Sequence, residues 1–220
     1  MPAKQTRRAR RPTGKRRSPV QERSIQTRER LLDVAGRLLG EVGIERISTN
    51  LICAEAGVSP AALYRYFKDK YAVLEALGRR LMDRQNAVLF AYLERYAPGG
   101  LEALSANTEE LMRATAEVTA SEPGGVWVER ALRAVPQLVH VRVESHREVT
   151  DAMLEVYAPL TPGIAPADLW RRIRIMVELG YAIDEMLNEE TRIDRDVLFR
   201  EAAAILAGRM ITLTRGENEP

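Results

Sequence analysis

The residues with the clearest chemical potential occupy eight consecutive positions, Ser59, Pro60, Ala61, Ala62, Leu63, Tyr64, Arg65 and Tyr66. Ser followed by Pro is a helix start: the hydroxyl caps the first turn, and Pro sits where no N–H is needed. The remaining N–H groups of that turn point where a phosphate can sit. Ala61 and Ala62 are small enough for close approach to base edges, and their methyls can meet thymine methyl groups. Tyr64, Arg65 and Tyr66 place three large polar side chains on a helix about two turns long, more than its inner face can hold. Lys70 follows with a cation. The chemistry this set offers is hydrogen bonding to a polyanion. A half-buried packing role stands as the alternative for both tyrosines, and for Tyr66 the two readings are equally open.

Nothing comparable points to catalysis. No Gly-rich phosphate loop, Cys/His cluster or nucleophile–base set stands in the chain, so no catalytic residue, metal or cofactor is expected. His140 and His146 are six apart, the wrong spacing to share one helix face as ligands. The single cysteine, Cys53, precludes an internal disulfide and fits a reducing compartment, here expected to be the cytoplasm. It reads as a small buried hydrophobe rather than a redox sensor.

The elements that position the eight residues follow from the flanking pattern. Leu31, Ala35, Leu38 and Val42, widened by Leu32 and Leu39, predict a helix over 24–42, with Gly43 as its C-terminal cap. Ser48 caps a short helix over 49–56, and Gly57 breaks it with a positive φ. The turn Gly57, Val58, Ser59 leads into the third helix, expected to end near Phe67. Ile52, Val58, Leu63 and Phe67 point inward, and Cys53 must be small where the helices cross. This compact corner leaves the third helix one face free for a major groove. Asp69 caps a fourth helix reaching about Tyr96.

The stretch Ser48-Thr-Asn-Leu-Ile-Cys-Ala-Glu-Ala-Gly-Val-Ser-Pro-Ala-Ala-Leu-Tyr-Arg-Tyr-Phe-Lys-Asp-Lys-Tyr-Ala-Val-Leu74 closely resembles the TetR/AcrR helix-turn-helix signature. Ile52, Ala56, Gly57, Val58, Ser59, Leu63, Tyr64, Tyr66, Phe67, Lys70 and Leu74 match it; Ser48 replaces Thr and Cys53 replaces Ala. Residues 27–43 are similar to that family's first helix, so the likeness covers about 27–75. It implies that Tyr64, Lys70, Ser48 and Thr49 contact phosphates. It also implies that Asn50, Pro60, Ala61, Ala62, Arg65 and Tyr66 meet bases or sugar edges. Asn50 is the candidate for a bidentate adenine contact and Arg65 for guanine or phosphate.

Charge is distributed unevenly. Residues 1–23 carry +8 and the remainder −6. Residues 1–22, punctuated by Pro2, Pro12, Gly14 and Pro19, read as a disordered basic arm, either a solvated tail or a weak, sequence-independent DNA contact. Ordered structure is expected from about Ser24. No apolar run reaches the ~20 residues of a membrane span. Further helices are expected over 101–120, 126–134, from Pro136 to before Pro159, 167–188 and 194–215, with no strand; Val139 to Val143 is briefly β-like inside a helical pattern.

The expected fold is all-α: a basic arm (1–22), a three-helix helix-turn-helix DNA-binding domain (23–70), and a larger helical ligand-binding and dimerisation domain (71–220). By the resemblance, the last two long helices pair with a partner's in a homodimer on a palindromic double-stranded operator, with Gly180, Ala202 and Gly208 permitting close approach. It also implies a small-molecule effector, hydrophobic or amphipathic, in a cavity for which Met112, Trp127, Val139, Met153, Tyr157, Trp170, Met176 and Tyr181 are the candidate lining. Ligand binding would release repression; some members activate instead. A helical protein-interaction module remains the competing class, which predicts no cavity.

Overall fold

The computed structural model describes the backbone of residues 19–214 and the side chains of residues 21–208. Most of the expected basic arm therefore lies outside the described residues. Among the described residues there are ten α-helices and no strand. No helix among them is long and apolar enough to cross a membrane.

The first helix, α1, spans Pro19–Arg46 and so begins five residues before Ser24. Pro19 suits a first turn, Gln21 and Arg23 are good helix formers, and the acidic Glu22 complements the N-terminal dipole. Gly43, with φ 75° and ψ 172°, breaks α1 near the expected cap, after which one further turn runs to Arg46. Next come α2 (Thr49–Ala56), α3 (Pro60–Tyr64) and α4 (Lys70–Tyr96). Their N-caps are Ser48, Ser59 and Asp69, which accept from the N–H of Leu51 (3.2 Å), Ala62 (3.3 Å) and Ala72 (2.8 Å). Gly57 closes α2 in the left-handed region at φ 64°.

Leu31, Leu38, Ile52, Cys53, Leu63, Phe67 and Leu77 are buried in one core, which joins α1 to α4. That core also takes Val128 and Leu132 from α7 (Gly125–Ala134). The chain boundary near residue 70 is thus not a boundary in the packing. Contact between α1 and the turn before α7 is backbone on backbone. A Cβ at Gly36 would stand 2.0 Å from the Pro123 carbonyl oxygen, and one at Gly124 would stand 2.0 Å from that of Gly36. An ion-pair knot sits beside this contact. The fully buried Glu122 carboxylate pairs with Arg80 and Arg84, while Arg80 also reaches Glu29 (3.0 Å) and Asp33 (2.8 Å) on α1.

The second core lies towards the other end of α4. Leu89, Tyr92 and Leu93 pack there against Leu104, Met153, Tyr157, Leu169 and Ile173. Those residues come from α5 (Gly100–Ala106), α8 (Val139–Tyr157) and α9 (Pro166–Leu187). The single helix expected over 101–120 is two, α5 and α6 (Thr108–Ser121). Asn107 breaks it at φ −110°, ψ 15°, with its side-chain amide donating to the Ala103 carbonyl at 2.7 Å. Such a bond competes with helix continuation. Pro136 opens a short 3-10 turn rather than α8 itself. The last helix, α10 (Arg195–Thr214), packs on α6 and α9 through Leu198 and Phe199.

Candidate nucleic-acid interface and internal pocket

Leu63, with no exposed surface, is the only residue of α3 that belongs to the core. Ser59, Pro60, Ala61, Tyr64 and Arg65 are exposed, and Ala62 is half-buried. The helix stops at Tyr64, short of Phe67, because its last turn tightens: the Tyr66 and Phe67 N–H groups both donate to the Leu63 carbonyl, at 2.9 and 3.0 Å. That turn separates the two tyrosines. Tyr64 remains 52% exposed, and its hydroxyl lies 3.2 Å from that of Thr49, so α2 and α3 present adjacent hydroxyls. Tyr66 is half-buried against the first core, and its hydroxyl is 3.0 Å from Ser24 on α1. Tyr66 therefore braces the module, tying α3 to α1.

Ser48 and Asn50 are exposed at the start of α2, on either side of the half-buried Thr49. The Lys70 ammonium donates to the Ile44 carbonyl at 3.2 Å, in the turn after the Gly43 break. It also lies 5.4 Å from the Tyr71 ring centroid, so its position is set by the corner itself. Lys68, exposed beside it, is a further cation that motif reasoning passes over; its signal is simple adjacency to Lys70 in the turn between two caps. Together α2, α3 and the α4 start offer exposed or half-buried hydroxyls, an amide and cations, with the small Ala61 and Ala62 on α3.

A second candidate site lies in the larger helical region. A cavity of about 130 Å³ runs between α4, α6, α8 and α9. Of the eight residues expected from sequence, it brings together Met112, Met153, Tyr157, Met176 and Tyr181. Trp127, Val139 and Trp170 are not among its lining residues. Trp127 is 44% exposed, lies against Gly40 of α1 and holds the Arg130 guanidinium 4.9 Å from its ring. Trp170 donates its indole N–H to Asp151 at 2.7 Å, near the surface. Amphipathic indoles find such partial exposure favourable. Val139 is the first residue of α8.

Sequence reasoning missed the polar wall of this cavity, Gln85 and Asn86 on α4 and Asp184 on α9. The signal was available: Leu77, Leu81, Gln85 and Leu89 recur every four residues, so Gln85 interrupts an apolar stripe. The Gln85 amide N–H groups donate to Thr119 Oγ1 (2.9 Å) and Glu129 Oε1 (2.7 Å), and the Thr119 hydroxyl contacts Glu129 (3.1 Å) and Asp184 (3.3 Å). Burial and mutual repulsion push the Glu129 carboxyl up to about 8, and burial raises Asp184 as well. Nearby His146 is fully buried, stacked 4.0 Å from Tyr181 and 3.1 Å from Glu178; burial lowers its pKa to about 4.

Comparison with known proteins agrees with this architecture. Residues 31–77 match the family model described as bacterial regulatory proteins, tetR family. The nucleoid occlusion factor SlmA of Pasteurella multocida (strain Pm70) is 34% identical over 87 residues, which cover 40% of this chain and 41% of that protein. The chain thus spans about two-fifths of the length of this curated relative. A solved protein of Pseudomonas aeruginosa PAO1, held to be a transcriptional regulator, superposes with a TM-score of 0.70 at 20% identity, covering 91% of this chain and 94% of that one. A TetR/AcrR-family regulator of Thermobifida fusca YX-ER1 gives 0.60 at 21% identity, covering 83% and 97%. These two likenesses show the fold, and the family-model match places its N-terminal module where the α2–α3 corner stands. The helix-turn-helix module over residues 31–77 is thus of the tetR-family type, and the chain as a whole shares the fold of the solved regulators it superposes on.

Proposed function

We propose that this protein is a repressor that binds a palindromic operator as a two-fold homodimer and is released by a small amphipathic effector. The observation that carries the DNA-binding part is the setting of α3: one buried anchor, Leu63, and an outer face of Ser59, Pro60, Ala61, Tyr64 and Arg65. A helix so placed can enter a major groove without unfolding anything else. In this reading Tyr64, Lys70, Ser48 and Thr49 hold phosphates, while Asn50, Pro60, Ala61, Ala62 and Arg65 face bases or sugars. Tyr66 supports the helix from behind. The +8 charge of residues 1–23 adds sequence-independent, salt-sensitive affinity.

Dimerisation is supported by an apolar stripe left uncovered on α9 and α10. Ile175 is 61% exposed, Leu179 47%, and Met186 lies on the same face one helical repeat further on. Ile205 on α10 is 66% exposed. Large apolar side chains left exposed on two long helices suit a self-complementary two-fold contact. Gly208, exposed on α10, fits that face. Ala202 does not, because it is buried within its own chain, and Gly180 lines the internal cavity instead. The cavity is the proposed effector site, and release follows if the effector prefers a dimer geometry whose two α3 helices are misplaced for one operator.

The test is binding to DNA fragments that include the protein's own upstream region. Each phosphate contact is a charged hydrogen bond worth about 1.5–3 kcal/mol, present twice in a two-fold complex. Tyr64→Ala and Lys70→Ala are each expected to weaken binding at least tenfold. Lys70→Ala should also flatten the salt dependence. Undiminished binding by both variants would show that this face is not the DNA-binding one.

A further inference from the structure

The polar wall of the cavity has a donor–acceptor imbalance. Gln85 is 2% exposed. Its amide nitrogen is fully engaged with Thr119 and Glu129, yet its carbonyl oxygen is buried with no hydrogen-bond partner. An unpaired buried acceptor of this kind is costly and calls for a donor. The Asp184 carboxyl lines the cavity with it, and the Glu129 carboxyl, held by Gln85 and Thr119, stands behind this wall in the lining of an adjoining pocket; both are acceptors once ionised. Asp184 lines the cavity from α9 and is joined to Gln85 on α4 through the Thr119 hydroxyl. Among the described residues that line it there is no Lys, Arg or His. Arg195, at the start of α10, acts on Asp184 by charge, but its guanidinium donates to the Leu187 carbonyl at 3.4 Å. Thr119 from α6 and Tyr181 from α9 complete the surroundings of the pair.

Most of the remaining lining is apolar, Leu89, Met153, Met176, Val177 and Leu206 among it, interrupted by Asn86, Thr108 and Thr115. Its volume of about 130 Å³ is close to the roughly 150 Å³ of a cavity that holds one benzene ring. Methionines let such a wall adapt to an irregular guest.

We propose that the cavity selects amphipathic organic cations, a protonated amine donating to Gln85 Oε1 and the Asp184 carboxyl, with the Glu129 carboxyl behind this wall adding negative charge, while one ring or short chain fills the apolar part. This rests on the reading of the cavity as the effector site and gives that effector a chemical class. An ammonium brings three donors to a wall of acceptors, an alcohol brings one, and a carboxylate brings none and is repelled. Because burial and the neighbouring Asp184 carboxyl keep a proton on Glu129 when the site is empty, an arriving cation displaces that proton to solvent.

The experiment is isothermal titration calorimetry of the full chain, without DNA, at pH 7.5. The probes are 2-phenylethylamine, 2-phenylethanol and 3-phenylpropanoate, each in two buffers of different protonation enthalpy. The amine should bind at least tenfold more tightly than the alcohol, with proton release, and the carboxylate should not bind measurably. Glu129→Gln and Asp184→Asn should each cut the amine-over-alcohol preference to threefold or less and remove the proton release. Circular dichroism identifies any variant that does not fold, in which case the other variant and the wild-type series decide. Equal binding of amine and alcohol, binding of none of the three, or a preference that survives both substitutions would each overturn the proposal. Failure here leaves operator binding untouched. Failure of Tyr64→Ala and Lys70→Ala to alter operator binding leaves the amine preference untouched.

Discussion

The backbone contact between Gly36 and the Pro123–Gly124 turn offers the sharpest test of how the two helical regions are joined. In a free helix, Gly→Ala stabilises by about 1 kcal/mol. Here the added methyl would lie 2.0 Å from the Pro123 carbonyl oxygen and 2.9 Å from its carbon. Neither atom belongs to a side chain that can rotate away, so α1 and the turn must separate by more than ~1 Å to reach ordinary contact. Overpacking of this sort costs about 1–3 kcal/mol, with backbone clashes at the upper end. Set against the propensity gain, Gly36→Ala should destabilise by about 2 kcal/mol. For a chain of this size that lowers Tm by roughly 4–8 °C. The same displacement shifts α1, against which α2 packs, so operator affinity should fall about tenfold. Gly163→Ala is the control, because its methyl would meet nothing within 4 Å. Thermal unfolding and operator titration of the three proteins provide the assay. A Gly36→Ala protein with Tm equal to or above wild type would refute the close approach.

Three other perturbations have definite expected outcomes. Glu122→Gln removes the fully buried carboxylate between Arg80 and Arg84. Breaking a buried pair costs about 3–5 kcal/mol; Arg80 keeps Glu29 and Asp33, so chemical denaturation should show a loss of about 2 kcal/mol. Glu129, held at about 8 in the fold, keeps a proton that the unfolded chain releases above its ordinary pKa of about 4.5. Stability therefore falls as pH rises from there towards 8 and levels off beyond. His146, lowered to about 4, works oppositely: its contribution is present above about 6.5 and is lost as pH falls towards 4. Between pH 6.5 and 8 His146 no longer contributes and the raised Glu129–Asp184 pair governs the slope, so Glu129→Gln should flatten the Tm profile there and raise Tm at pH 8. Ile175→Asp, placed on the exposed α9 stripe, should leave a folded monomer by light scattering and weaken operator binding at least a hundredfold.

Local chemistry makes the N-terminal module readable in the sequence. Ser48, Ser59 and Asp69 are caps because a short polar side chain can reach an N–H three residues on, and Gly57 ends α2 because the backbone there needs a positive φ. Both effects act within a few residues. The α5–α6 break at Asn107 was illegible because neither Pro nor Gly marks it, and a side-chain bond to Ala103 decides it. The cavity was only partly legible for a different reason. Methionine and tyrosine at helical spacing indicate burial but not which buried surfaces leave a void. Trp127 and Trp170 have the same composition signal and end at the periphery, where Arg130 and Asp151 partner them. Tyr66 shows the same limit within the motif, since its neighbour Tyr64 faces outward and only the tightened turn after Leu63 separates their fates.

One unbroken helix, α4, enters both cores, with Leu74 and Leu77 in the first and Leu89 and Leu93 in the second. Between Leu89 at the cavity and Lys70 at the corner the rod is about 28 Å long at 1.5 Å per residue. A tilt of only ~5° at one end sweeps the other through about 2.5 Å, several times the slack a hydrogen bond tolerates. In the proposed mechanism the helix is therefore a long arm with a short throw: a guest that wedged one wall of the void by less than a bond length would be geared up into loss of grip on a duplex.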